Sequence, residues 1–345
     1  MVRPALVPVL VNYFQEREMS VKWHGCRSVP RQIKGGGPQG ATLGILEYLS
    51  QSNNSADCVS EQDRFKFVDD LTILEIVNLL TIGISCFNLK QEVPNDVQIH
   101  NQIVPAKNLE SQKWIDLIND WTINQKMQIN ENKTHTMIFN FTEKYQFSTR
   151  LQLNGENVQV INHTKLLGTI ISDDLKWDLN TQNIIKKGNA RLQLLRKAAG
   201  FSPPIEDLKT IYFSFIRSLL EQSATVWHSA ITQENSSDIE RVQKSACRII
   251  LQEKYTGYKN ALNRLEIESL AERRENLCLN FALKCTKNKK TVDMFPKVNR
   301  KHSMKTRNPE LYKVQFANTE RLKKSPIIYM QNLLNDNESK ILKES

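Results

Sequence analysis

Cysteine is scarce in this 345-residue chain and carries no pattern. The six cysteines (Cys26, Cys58, Cys86, Cys247, Cys278 and Cys285) form no Cys-x-x-Cys pair and no Cys/His zinc spacing. They read as reduced, mostly buried thiols of an intracellular protein rather than a disulfide framework. No run approaches the roughly 20 apolar residues that cross a bilayer, so a membrane-spanning helix is excluded at the sequence level. Twelve glycines and eleven prolines exclude a collagen-like or elastic composition. The opening Val2–Val11 run is interrupted by Pro4 and Pro8 and lacks a clean small-residue cleavage site, so a non-secreted chain of cytoplasm or nucleus is expected. Aspartate is missing altogether from residues 1–56, where the only acids are Glu16, Glu18 and Glu47.

What is present is ordinary globular material, 40% hydrophobic and 24% charged, with a net charge of +10. The charge is uneven: −3 over residues 1–180, +4 over 181–280 and +9 over 281–345. A one-ended basic excess favours nucleic acid or another anionic surface, because each Lys or Arg near a phosphate releases a counterion. A solvated lysine-rich tail gives the same count.

Periodicity divides the chain near residue 180. Residues 4–19 read as a helix, followed by short strands at 20–23 and 28–33 and a glycine-rich loop at 34–40. A helix over 42–49 and a polar loop over 50–63 come next. Phe65–Val68 and Leu71–Leu74 flank Asp69-Asp70, a pattern that predicts a β-hairpin rooted in a core sheet with two carboxylates at its tip. Leu109, Trp114, Leu117, Ile118 and Trp121 predict a helix over 109–126. Strands are expected at 127–129, 136–141, 151–160 and 165–171, with Asn154-Gly155 as a hairpin turn. Beyond Trp177 the pattern turns helical over 184–199, 205–220 and 237–251. The expected architecture is α+β: residues 1–178 mixed, 179–285 helical and 286–345 a basic extension.

Paired carboxylates on a rigid tip can share divalent cations, and hard oxygen ligands suit Mg²⁺ or Mn²⁺. Two such ions stabilise the attacking and leaving oxygens of a phosphoryl transfer. The loop Gly35–Gly40 is not a P-loop, since no Gly-Lys-Ser/Thr follows. Its glycines do allow a backbone to approach a base or sugar closely, and Gln39 offers both a donor and an acceptor.

In order along the chain, GGGPQGATLG, FVDDLTIL, INENKTHTMIF and KLLGTIISDDLKW resemble motifs B, C, D and E of a reverse transcriptase. The helical run NARLQLLRKAAG, IYFSFIRSLLEQSATVWH and IERVQKSACRIIL resembles the thumb of non-LTR (LINE-type) retrotransposon polymerases. The opening PALVPVLVNYFQEREMSVKW is similar to the segment preceding motif B. The resemblance spans roughly residues 4–285. It implies a partial right-hand palm, an antiparallel sheet with helices, followed by a helical thumb. It implies RNA-directed DNA polymerase chemistry, with an RNA template, a DNA primer and nucleoside triphosphates as partners. Asp69 and Asp70 match the catalytic aspartates that hold Mg²⁺ or Mn²⁺. Gly37, Pro38, Gln39 and Gly40 match the loop that positions template and nucleotide. Lys133 matches a lysine that helps pyrophosphate leave, and Leu167 and Gly168 match the turn that grips the primer end.

One departure is large. The family's third carboxylate, a motif A aspartate followed by Ala-Phe-Asp, has no counterpart upstream of Gly35. The fingers are missing too. Metal held by two carboxylates alone binds weakly, so this chain by itself is expected to be catalytically inactive, with motif A encoded further upstream. The alternative expectation is a non-catalytic nucleic-acid-binding remnant acting through thumb and basic tail, and a third is a helical interaction protein. No zinc knuckle, RNase H carboxylate series or endonuclease signature is present.

Overall fold

The computed structural model describes residues 15, 17–33, 55–67, 70–75, 100–104, 109–141, 145–298 and 311–344. These fold as two compact units, one built from 1–136 and 142–160 and the other from 137–141 and 161–345. Both strands and helices are present, so the chain is mixed α and β. The boundary at 160 places one β-hairpin with the helices, ahead of the change in periodicity near 180.

The first unit opens with a ribbon of short strands. β1 (Glu18–Met19) pairs antiparallel with β4 (Arg31–Gln32), and β2 (Lys22–Trp23) with β3 (Cys26–Arg27). His24 and Gly25 turn the chain with positive φ of 45° and 85°. Met19 is therefore in a strand, where the periodicity predicted the end of a helix. The remainder of that expected helix, through residue 14, lies outside the described residues, as does the expected helix at 42–49.

β5 (Arg64–Phe67) pairs antiparallel with β6 (Asp70–Ile73) in the register Arg64↔Ile73 to Phe67↔Asp70. The alternation works as expected on one face. Leu71 and Ile73 pack on Ala56, Val59 and Ile118, whereas Phe65 is exposed. Ala56 and Val59 come from the stretch expected to be a polar loop, and both are buried. β7 (His100–Val104) runs parallel to β9 (Tyr145–Thr149), and β8 (His135–Thr136) parallel to β12 (Gln159–Val160). β10 (Gln152–Leu153) and β11 (Glu156–Asn157) close around Asn154-Gly155, whose φ values of 53° and 85° suit a tight hairpin turn. α1 (Glu110–Asn124) lies between β7 and β9 in sequence. Among the described residues all strands pair in twos, not in one continuous sheet, so the hairpin is a two-stranded ribbon packed on α1 rather than part of a wide core sheet. Residues 127–129 and 137–141 are irregular. Between them the chain makes a 3-10 turn at Glu131–Lys133 and the two-residue β8, which shortens the strands expected there.

The second unit begins with β13 (His163–Leu166) and β14 (Thr169–Ser172), a hairpin where the sequence predicted one strand. α2 (Asp178–Ala199) follows, with Asp178 in its first turn and Arg196 and Lys197 in its last, both favourable to the helix dipole. α3 (Ile205–Ile211) continues through a π-helical stretch, Tyr212–Arg217, and one further turn, Ser218–Leu220. α4 (Gln233–Leu251) is capped by Thr232, whose side chain accepts from the Asn235 N–H. α5 (Tyr258–Leu265) precedes α6 (Leu270–Cys285), which starts in a Ser269/Glu272 capping box. Ile184, Leu192 and Leu195 of α2 pack with Ile239, Val242 and Ile250 of α4 and with the fully buried Ile216 and Trp227. Gly188 makes that approach possible. A Cβ there would lie 3.1 Å from Val242 Cγ1 and 3.2 Å from Leu220 Cδ2.

The basic extension is not only a solvated tail. α7 (Pro326–Glu344) lays Met330 and Leu334 against Cys278, Ala282 and Cys285 of α6, with Phe295 and Tyr312 completing the cluster. The buried amide of Asn335 accepts from the N–H groups of Leu311 and Tyr312 at 3.0 and 2.9 Å. The buried Gln331 accepts from the Gln315 N–H and donates to the Met294 carbonyl.

Candidate nucleic-acid interface

In the first unit, Phe67↔Asp70 is the last described pair of the β5–β6 hairpin, so Asp70 stands in β6 and not in the turn expected to hold both aspartates. Asp70 is exposed at that pair. The base of the hairpin is fixed by Arg64, ion-paired to Asp57 at 2.7 Å, and by the Leu74 N–H on the Asp63 carbonyl. Burial and the neighbouring Arg64 lower the Lys66 pKa from its ordinary value. Lys133 is exposed at the end of its 3-10 turn. Its neighbour Glu131 accepts from Asn154 Nδ2 at 2.7 Å, and Asn119 of α1 donates to Asn154 Oδ1 at 2.7 Å. That chain of amides ties the Asn154-Gly155 turn, α1 and the Lys133 turn together. No hydrogen bond or ion pair joins Asp70 to Lys133 among the described residues. Asp69 and the loop residues Gly37, Pro38, Gln39 and Gly40 lie outside the described residues. Among the described residues there is no group of three or more His, Cys, Asp or Glu side chains able to hold a metal ion. No described helix is long and apolar enough to cross a membrane.

In the second unit, Leu167 and Gly168 form the two-residue turn of β13–β14, with φ of 47° and 90°. Leucine in the left-handed region costs of order 1 kcal/mol, so the turn must be held from outside. Gln222 Nε2 donates to the Leu167 carbonyl at 3.1 Å, and the nearly inaccessible Asn180 accepts from the Ile170 N–H at 3.1 Å. Leu167 itself is 50% exposed.

The larger feature is one that motif spacing does not reveal. From Leu179 to Ile205 the sequence has five basic residues and no acid. In α2, Gln182, Lys186, Asn189, Gln193, Arg196 and Lys197 are all exposed. Their spacing of three or four places them in one stripe along the helix, opposite the buried Ile184, Gly188, Leu192 and Leu195. None of Lys186, Lys187, Arg191, Arg196 or Lys197 forms an ion pair among the described residues. At the stripe's end an open depression of about 410 Å³ is lined by Arg196, Ser202 and Gln252 with Ala199, Gly200 and Ile249. Phe201, beside it in sequence, is 86% exposed. A stripe of cations and amides beside an exposed aromatic suits phosphates, sugars and bases. The signal in the sequence was the acid-free run, which net charge per domain averages away.

The other polar groups of this unit are structural. Tyr212 donates to Gln243, which donates to Tyr258 Oη at 2.8 Å and to the Glu268 carbonyl at 3.0 Å. Tyr258 in turn donates to Glu240. Burial pushes the Cys247 thiol up to about 12 and that of Cys278 to about 11, so neither supplies a thiolate at neutral pH.

No protein-family model matches the chain, and no curated protein or solved structure gives a significant match.

Proposed function

We propose that the chain is the motif B to E and thumb portion of a LINE-type reverse transcriptase, an RNA-directed DNA polymerase homologue that binds an RNA template paired with a DNA primer. The observation that carries this reading is the acid-free cationic stripe of α2, set in the same unit as the β13–β14 hairpin that resembles motif E. A duplex presents a regular row of phosphates, and a helical row of Lys186, Arg196 and Lys197 interleaved with amides can follow it by charge and hydrogen bonding without reading sequence.

In this reading Asp69 and Asp70 would hold Mg²⁺ or Mn²⁺. An exposed carboxylate such as Asp70 is a suitable hard donor, and the bound ions would polarise the reacting phosphate. The third carboxylate that completes such a site has no counterpart in residues 1–56. The chain by itself therefore binds nucleic acid without extending a primer. The non-catalytic binding reading shares the same stripe and differs only in what the hairpin does.

The test is anisotropy of a labelled RNA/DNA primer–template across a salt series. The unaltered chain should bind with a strong salt dependence. Lys186→Glu with Lys197→Glu should weaken binding at least tenfold and reduce the slope of log K against log salt by about 0.7–0.9 for each phosphate no longer neutralised. Unchanged affinity and slope overturn the assignment. Primer extension with Mg²⁺ or Mn²⁺ should stay at background, and extension that disappears in Asp69→Asn would restore catalysis to this chain. Removing residues 286–345 is not a clean probe of the tail lysines, because it strips Met330 and Leu334 from α6. Lys323 is in any case ion-paired to Glu320 at 2.6 Å.

A further inference from the structure

We propose that Gln222 is a positioning residue that fixes the Leu167-Gly168 turn and thereby sets where that turn meets the end of a primer; the primer role rests on the nucleic-acid reading above. The geometry is specific. The Gln222 amide lies on the bare face of Gly168, where an added Cβ would meet Nε2, and the same nitrogen donates to the Leu167 carbonyl at 3.1 Å. The φ of 90° favours glycine at 168.

Gln222 is itself held rigidly. Its carbonyl accepts from the indole of the fully buried Trp227 at 2.9 Å. The preceding Glu221 is gripped by Arg273 through two nitrogens and lies 3.8 Å from Arg217. The following Ser223 takes a left-handed φ of 53°, which turns the chain into the Ala224–Trp227 helix. The segment Glu221–Trp227 is thus a rigid bracket with one side chain extended to the hairpin. Asn180, at the start of α2, holds the hairpin at Ile170 from a second side. Between the two anchors the half-exposed Leu167 side chain is presented at a fixed place in the unit that carries the cationic stripe. An exposed apolar side chain fixed in this way suits the sugar of a terminal nucleotide.

The test uses Gln222→Met, which keeps the length and removes the donor, in the full chain. Amide hydrogen exchange should quicken at least tenfold over residues 167–170 and stay unchanged in α2 and α4. With 2-aminopurine as the primer's 3′-terminal base on an RNA template, the fluorescence change on binding should fall at least fivefold. Affinity read from a label at the far end of the duplex should stay within twofold. Gly168→Ala and Gln222→Ala should be non-additive in the exchange assay, since each removes the same clamp. Unaltered exchange overturns the clamp. An unaltered 2-aminopurine signal in a chain that still binds overturns the primer role of Gln222 alone. Absence of duplex binding by the unaltered chain overturns the nucleic-acid reading and the primer role with it, while the exchange result still decides the clamp.

Discussion

Acidification should weaken the helical unit through one ring. His228 is partly buried, and its Nδ1 accepts from Arg274 Nε at 3.3 Å. Tyr329 of α7 meets the ring edge to face at 5.8 Å. Burial first, and the Arg274 guanidinium second, lower the His228 pKa from 6.5 to about 4. Around the ring, Ser236 accepts from Arg274 at 2.9 Å, and the Tyr329 hydroxyl is pushed up to about 12. The folded pKa lies below the unfolded one, so the unfolded chain takes up a proton as pH falls through 6.5 while the folded chain resists until about 4. The stabilisation is full above 6.5 and is lost across that interval. At about 1.4 kcal/mol per tenfold in proton affinity the ceiling is ~3 kcal/mol, and partial solvent access reduces it to about 2. His228→Asn keeps an acceptor for Arg274 and cannot titrate. Urea unfolding followed by tryptophan fluorescence at pH 7.0 and pH 4.5 should show the unaltered chain losing about 2 kcal/mol more than His228→Asn between the two conditions. Removing the imidazole from the face of Tyr329 affects both pH values equally and cancels. Equal losses would refute the burial argument.

Two further outcomes test packing. Gly188→Leu should destabilise by about 3 kcal/mol in the same urea assay, because its Cβ already crowds Val242 and Leu220; an unshifted midpoint would mean that α2 and α4 are not closely packed. Asn335→Leu should cost about 2–4 kcal/mol by orphaning the buried N–H groups of Leu311 and Tyr312, with exchange quickening at those two amides; protected amides would refute the role given to Asn335.

The sequence was most legible where local chemistry and packing agree. The β5–β6 pairing follows from two short apolar runs, though its register runs one residue earlier than expected and takes Asp70 into the strand, and Asn154-Gly155 names its own turn. α1, α2 and α4 carry their apolar faces at helical spacing. Leu167-Gly168 was harder. A leucine at positive φ is a poor turn former, and the hairpin becomes intelligible only with Gln222, 55 positions away, donating to it. Residues 22–32 form a ribbon with Trp23 74% exposed, so hydrophobic patterning had no buried face to report. α7 was obscured by the lysines around it, since charge counting saw a tail where Met330 and Leu334 fill a core. Asp69 and the Gly37–Gly40 loop rest on motif resemblance alone.

The docking of α7 onto α6 has a consequence for the order in which a ribosome releases the chain. About forty residues separate Cys285 from Pro326. At roughly 5–20 residues per second, α6 waits about 2–10 s after emerging before Met330 and Leu334 arrive to cover it. Through that interval Cys278, Ala282 and Cys285 present a bare apolar seam, and two of its members are thiols not yet protected by burial. A nascent chain stalled in this stretch would hold its first helical cluster complete and its second one open, a natural stopping place for a chaperone.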